Sequence, residues 1–145
     1  MTMRWRLLAI CSAENWQVVE SAMTNWSMEV TWCATVQKAR RRLRRGNYGL
    51  VFCEGRLSDG TYKDVIQLLG PKLGQTRVIV LSDVHKEDCF DEAIKMGVFD
   101  LIPASFNRTD VQWIFMHAIQ GHPRRQTIPE VISANATSLP TWSRR

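Results

Sequence analysis

Short apolar runs alternate along the chain with segments of helical spacing. Arg6–Cys11, Tyr48–Cys53 and Arg77–Leu81 are apolar at almost every position, as expected for strands buried on both faces of a parallel sheet. Met28–Cys33 alternates apolar and polar residues, which is typical of a half-exposed edge strand. Phe99–Ile102 is shorter and also β-like. The pattern therefore predicts five strands.

A helix is predicted after each strand, because apolar residues there recur every three or four positions and form one buried stripe. The predicted boundaries are an Asn15 cap for helix one, Thr35 to Gly46 for helix two, a stretch around Val65–Leu69 for helix three, Lys86–Met96 for helix four and an Asn107 cap for helix five. Strict alternation of strands and helices predicts an α/β three-layer sandwich, in which helices cover both faces of a five-stranded parallel sheet.

Length and composition fit one ordinary globular domain. The 145 residues are 45% hydrophobic and 23% charged, which excludes collagen-like, disordered and coiled-coil classes. We assign residues 1–120 to the domain, and residues 121–145, with three prolines and no periodicity, to a flexible basic tail or linker remnant. No apolar run reaches the roughly 18 residues of a membrane helix and no signal peptide is visible, so we expect a cytoplasmic protein without a membrane partner.

The net charge of +5 is unevenly distributed. Four arginines against one glutamate lie in the predicted tail, and Lys38–Arg45 carries six basic residues in eight positions without an acid. This second helix could contact phosphates or an acidic protein surface, or it could be a solvated amphipathic helix. A nucleic-acid partner therefore stays open, although the sequence contains no base-reading motif.

Four cysteines, Cys11, Cys33, Cys53 and Cys89, are spread along the chain without a CxxC pair. This spacing excludes a zinc-ribbon pattern and a dense disulfide framework. Three of them fall at the carboxyl ends of strands one to three, where a redox or soft-metal site could form. Side chains alternate between the two faces of a strand, so not all of these sulfurs can converge. We favour buried, reduced thiols.

Three segments carry a resemblance to a known family. They are LVFCEGRLSDG after the third strand, VIVLSD after the fourth strand and MGVFDLIPASF through the fifth strand. Over about residues 4–119 the chain resembles the receiver domains of bacterial two-component response regulators. The resemblance implies a flavodoxin-like (CheY-like) fold with strand order 2-1-3-4-5, and a response-regulator signalling module rather than an enzyme.

The positions that carry phosphorelay chemistry in receivers are changed here. By the resemblance, Glu54 stands at the position of the aspartate phosphoacceptor, and Cys11 and Ser12 stand where the family has the acidic pair that holds Mg²⁺. Ala104 stands at the position of the lysine that pairs with the phosphoryl group. Mg²⁺ requires hard oxygen ligands. The resemblance therefore implies a degenerate pseudo-receiver without a metal, a cofactor or a catalytic residue.

Glu54 leaves alternatives open. Ser82 matches the hydroxyl position of the family, so Glu54 and Ser82 could retain a response to Mg²⁺ and a phosphodonor. The fixed negative charge of Glu54 could instead mimic the phosphorylated state, although a carboxylate lacks the charge and the three acceptor oxygens of a phosphoryl group. The remaining alternative is a solvated loop carboxylate without a signalling role.

The resemblance also implies an interaction surface on helix four, strand five and helix five, where receivers dimerise or dock. We assign three residues to it: Leu101, which replaces an aromatic switch residue, Phe106 and Trp113. Trp113 lies off the main apolar stripe of helix five, so it is either an exposed hot spot or a ring folded over the domain edge. We expect a protein partner or a homodimer through this surface.

Overall fold

A five-stranded parallel sheet forms the centre of the molecule. The computed structural model describes residues 5–82, 87–103 and 105–121, and only the backbone of residues 87–89. The strands are β1 (Trp5–Ile10), β2 (Met28–Cys33), β3 (Leu50–Glu54), β4 (Arg77–Ser82) and β5 (Asp100–Pro103). Their order in the sheet is β2-β1-β3-β4-β5, which confirms the predicted order.

Five α-helices alternate with these strands. They are α1 (Ala13–Ala22), α2 (Val36–Arg45), α3 (Tyr62–Leu69), α4 (Glu87–Lys95) and α5 (Arg108–Gln120), and a short 3-10 helix at Gly70–Gly74 follows α3. Helices α1 and α5 pack on one face of the sheet, while α2, α3 and α4 pack on the other face. The predicted three-layer α/β sandwich is confirmed.

Burial explains why the apolar runs became central strands. The side chains of Leu7–Ile10, Leu50–Cys53 and Val78–Leu81 are all buried, because each of these strands has a neighbour on both sides and helices above and below. Strand β2 lies at one edge of the sheet, and within it only Cys33 is buried. Its alternating pattern identified this edge position correctly.

Helix α1 begins before the predicted cap. We expected Asn15 at that position, but the N-cap is Ser12, whose hydroxyl accepts a hydrogen bond from the Asn15 N–H at 3.3 Å. The Asn15 side chain instead donates to Glu54. Serine and asparagine satisfy the free amides at a helix start about equally well, so the local sequence did not distinguish the two caps.

The other predicted helix caps are confirmed. Thr35 accepts a hydrogen bond from the Lys38 N–H at the start of α2, and Gly46 ends that helix. Asn107 and Asp110 form a capping box at the start of α5, in which each side chain accepts a hydrogen bond from the backbone of the other.

The polar loop after β3 contains structure that the sequence did not predict. Arg56–Leu57 pairs with Gly60–Thr61 as a short antiparallel hairpin, which leads directly into a capping box at the start of α3. In the part of the chain that the structure describes, no helix is long and apolar enough to cross a membrane. Residues 122–145 of the predicted tail lie outside the described residues.

Candidate functional site

The predicted site residues lie together at the carboxyl ends of three neighbouring strands. Cys11 and Ser12 follow β1, Glu54 ends β3 and Ser82 ends β4. These strands are parallel neighbours in the sheet, and this edge is where doubly wound α/β folds bind their ligands. Ala104 lies outside the described residues.

The Glu54 carboxylate is held by the first turn of α1. Its Oε2 atom accepts hydrogen bonds from the Ser12 N–H at 2.7 Å and from the Asn15 side-chain amide at 2.5 Å. A helix N-terminus carries partial positive charge and unpaired N–H groups, so it stabilises a carboxylate placed there. The charge of Glu54 is therefore satisfied by the chain itself, and its side chain links β3 to α1.

The residues after β1 do not suit Mg²⁺, the metal of the receiver family. The Cys11 side chain is fully buried. Burial and then the nearby charge of Glu54 raise the pKa of this thiol to about 12. The Ser12 hydroxyl already caps α1. Neither residue offers the anionic oxygen that Mg²⁺ prefers, and the described residues contain no cluster of three or more His, Cys, Asp or Glu side chains that could hold a metal.

The described thiols at the strand ends are free and buried. Cys33 and Cys53 lie in the core on the α2 side of the sheet, whereas Cys11 lies on the α1 side. Burial raises the pKa of Cys33 to about 11, although Arg42 and Lys38 act in the opposite direction. Burial also raises the pKa of Cys53 well above its ordinary value. All three are therefore protonated at neutral pH. The side chain of Cys89 lies outside the described residues.

Ser82 lines a groove at the end of β4, on the face of the sheet opposite α1. The groove has a volume of about 240 Å³, and its wall includes Tyr62, Ala93 and Leu101. Leu101 is partly exposed there, on the face of β5 that packs towards α4. The predicted hydroxyl position and the predicted switch position therefore share one groove.

Phe106 does not belong to the exposed surface to which we assigned it. Only 9% of its side chain is exposed, and it packs in the core on the α1 and α5 side. Its ring centroid lies 5.8 Å from that of Phe52 in β3. Burial of the apolar ring against the sheet is more favourable than its exposure to water, because it removes apolar surface from the solvent.

Trp113, in contrast, is exposed. It is 54% exposed and stacks on His117 with a centroid separation of 5.5 Å. Met116, one turn further along α5, is 45% exposed and was not predicted as a surface residue. A helical spacing of three residues places Trp113 and Met116 on neighbouring parts of one face. Exposed large apolar side chains at this spacing form a small apolar patch.

The basic helix predicted as helix two is amphipathic, as its pattern indicates. Val36, Ala39 and Leu43 are buried against the sheet, and the six basic residues of Lys38–Arg45 are all exposed. Asp59 adds a further contact that the sequence did not predict, because its carboxylate accepts hydrogen bonds from the N–H groups of Val36 and Gln37.

Several solved structures with a similar fold are response regulators or their receiver domains. The response regulator DrrB of Thermotoga maritima, an OmpR/PhoB homologue, has a TM-score of 0.74 at 14% identity, over 83% of this chain and 55% of DrrB. The chemotaxis response regulator CheY4 of Vibrio cholerae has a TM-score of 0.72 at 14% identity, over 81% of this chain and 99% of CheY4. The BeF3-activated receiver domain of DrrB has a TM-score of 0.71 at 13% identity, over 81% of this chain and 99% of that domain.

These similarities establish a receiver-domain fold for the described residues. The chain spans about half the length of DrrB. No protein-family model matches the sequence, and no curated protein sequence matches it. The structures and the sequence motifs thus indicate the same fold. At these low sequence identities, the structures show similarity of fold and not of function.

Proposed function

We propose that this protein is a receiver-like signalling module that acts through protein contacts, without a phosphoryl group on Glu54 and without enzymatic activity of its own. The receiver-domain fold supports a role in response-regulator signalling. The observation that carries the proposal is the position of the Glu54 carboxylate, which accepts hydrogen bonds from Ser12 and Asn15 of α1. A carboxylate engaged in this way is a structural link between β3 and α1.

Charge at the strand ends supports the same conclusion. A phosphoryl group on Glu54 would bring about two negative charges, and phosphoryl transfer depends on cations that neutralise this charge. Cys11 and Ser12 provide neither a negative charge to hold Mg²⁺ nor a positive charge to replace it. Ala104, at the position of the family's lysine, is uncharged. Cys11, Ser12 and Ala104 therefore supply none of the charge compensation that the resemblance implies at these positions.

The surface made by α4, β5 and α5 is the proposed contact surface. Trp113 and Met116 are both large, apolar and exposed, and Leu101 is partly exposed on β5. Tryptophan is enriched among the residues that contribute most to protein interfaces. The partner is either another protein or a second copy of this chain.

Tryptophan emission with Mg²⁺ and beryllofluoride tests the independence from phosphorylation. The DrrB receiver domain, whose structure is BeF3-activated, serves as the control for the reagents. We expect a change in the DrrB domain and no change in this chain. A Mg²⁺-dependent change in this chain would overturn the proposal, because it would show that Glu54 and Ser82 still form a phosphoryl site.

Light scattering tests the contact surface. Trp113→Asp places a charge on the α5 patch, and Gln17→Asp places the same charge on the exposed side of α1. If the chain forms a homodimer through α4, β5 and α5, Trp113→Asp should reduce the mass to that of a monomer and Gln17→Asp should not. A dimer that survives Trp113→Asp would contradict this surface, and a monomeric wild type would exclude the homodimer.

A further inference from the structure

A second cavity lies beside the carboxyl end of β2, away from Glu54. It is a groove of about 420 Å³, lined by Trp32, Cys33, Ala34, Lys38, Arg41, Arg42 and Arg45, and we call it the β2 groove. Small-molecule sites usually have volumes of roughly 300 to 1,000 Å³, so a ligand of moderate size fits. The proposed function does not use this groove.

The positive charge of the β2 groove is not balanced by acids. Its lining contains four cationic side chains and no carboxylate. The two ion pairs found among the described residues join Arg6 to Glu29 and Lys63 to Glu92, and neither includes a groove residue. Lys38 and Arg45 each lie three or four positions from both Arg41 and Arg42 on α2, so these pairs repel one another. A bound anion would relieve this repulsion.

Two acids near α2, Asp59 and Asp64, are not part of the β2 groove lining. Asp59 accepts hydrogen bonds from the N–H groups of Val36 and Gln37 at 2.8 and 3.1 Å. Asp59, Asp64 and Arg40 line a separate cavity of about 250 Å³. Arg40 therefore faces carboxylates, whereas the cations of the β2 groove do not. This difference makes Arg40 a suitable control for the groove arginines.

Trp32 adds a fixed aromatic surface to the groove. It is 37% exposed, although its indole is held in place by two contacts. Its Nε1–H donates to the Cys11 carbonyl oxygen at 2.9 Å, and its ring is nearly parallel to that of Trp16, at a centroid separation of 5.9 Å and an angle of 2°. In proteins that bind single-stranded nucleic acid, bases stack on such aromatic side chains while basic side chains contact the phosphates.

We propose that the β2 groove binds a nucleotide, with its phosphates on the α2 cations and its base against Trp32. Arginine is suited to the phosphates because its planar guanidinium group donates two hydrogen bonds at once. The phosphates supply the missing negative charge, and the base covers aromatic surface that is otherwise exposed.

Binding of ADP, measured by calorimetry and by tryptophan emission, tests the proposal. Adenosine supplies the base without the phosphates, and pyrophosphate supplies the phosphates without the base. We expect saturable one-to-one binding of ADP, at least about tenfold tighter than either fragment and weaker at high salt. Absence of saturable ADP binding, or pyrophosphate binding as tight as ADP, would overturn the proposal. Tighter binding of a single-stranded oligonucleotide than of ADP would also overturn it, in favour of nucleic acid.

Matched variants distinguish the effect of the groove cations on ADP binding from the effect of the overall positive charge of α2. Arg41→Glu combined with Arg45→Glu removes two groove cations, while Arg40→Glu combined with Arg44→Glu makes the same charge change at the same spacing outside the groove lining. We expect the first pair to weaken ADP binding at least about tenfold, since contacts to charged groups are among the stronger hydrogen bonds. Equal weakening by both pairs would show nonspecific attraction and overturn the proposal.

Trp32→Ala tests the aromatic part. Removal of a base-stacking aromatic residue is expected to weaken ADP binding about five- to a hundredfold, with no change for pyrophosphate. Trp32→Phe keeps a ring against Trp16 and should restore most of the affinity, and thermal unfolding checks that each variant is folded. Unchanged ADP binding by folded Trp32→Ala would overturn the position assigned to the base.

Discussion

The site at Glu54 and the β2 groove both lie at the carboxyl ends of the strands. They differ in whether their charged side chains have partners within the chain. The single carboxylate of Glu54 accepts two hydrogen bonds from α1. The four cations of the groove have no acid in their lining. A carboxylate that is hydrogen-bonded within the chain is expected to stabilise the fold, whereas the groove cations are the charges to which we propose that a ligand binds.

Thiol reactivity gives the largest expected contrast between the two regions, because the thiolate is the reactive form. Cys11 beside Glu54 has a pKa of about 12, and Cys33 at the groove has a pKa of about 11, against an ordinary value of 9.0. At neutral pH we therefore expect both thiols to react much more slowly than an ordinary cysteine, and Cys11 to react more slowly than Cys33. Pulsed alkylation with peptide mass spectrometry measures both rates.

The same experiment contains its own controls. In concentrated urea, all cysteines should be alkylated at similar rates. Arg42→Glu should slow Cys33 and leave Cys11 unchanged, because Arg42 lowers the pKa of Cys33. Faster reaction of native Cys11 than of native Cys33 would contradict the comparison.

Glu54→Ala tests whether this carboxylate is structural. The variant loses both hydrogen bonds to α1, and we expect the free energy of unfolding to fall by about 1 to 2 kcal/mol. Glu54→Gln keeps an oxygen that can accept a hydrogen bond and should lose less. Urea unfolding measures the change, with Glu20→Ala on the exposed side of α1 as the control. Equal stability of Glu54→Ala and Glu20→Ala would argue against the structural role.

Asp59 resembles Glu54 in that its carboxylate accepts hydrogen bonds from backbone N–H groups, here at the start of α2. The hydrogen bond from the Val36 N–H is the main cause that lowers the pKa of Asp59 below its ordinary value of 3.8. A lowered pKa in the folded state means that the ionised form stabilises the fold. This contribution is complete above the ordinary pKa and is lost as the pH falls through the lower value of the folded state.

Asp59→Asn should therefore be less stable than the wild type at pH 7, and the difference should shrink on acidification below about pH 4. Urea unfolding at several pH values measures it. A difference that stays constant with pH would show that the charge of Asp59 does not stabilise α2.

Much of the fold could be predicted from the sequence because it depends on local patterns. The alternating residues of Met28–Cys33 define β2 at its observed bounds, and the Asn107–Asp110 pair marks the start of α5. The Arg56–Leu57 hairpin was not predicted, because two-residue strands are too short to show a periodicity.

The site was harder to predict because it depends on contacts between distant residues. The sequence places Glu54 at the end of a strand, but its bond to Asn15 joins residues 39 positions apart and depends on where α1 begins. Phe106 is a single aromatic residue in a loop, without a period to show whether it faces inward. The groove did leave a signal in the sequence, since Trp32 lies on the edge strand just before the basic helix.

The smallest expected effect is on the stability of α2 itself. If the groove cations are retained for a ligand, they should not stabilise the free protein. Arg41→Glu converts the repulsive pairs with Lys38 and Arg45 into attractive ones, each worth about 0.2 to 0.5 kcal/mol in a helix. We therefore expect a small gain in the free energy of unfolding, measured with urea at low salt and reduced at high salt. A loss of stability would mean that Arg41 has an internal role, as Glu54 does, and the contrast between the two regions would fail.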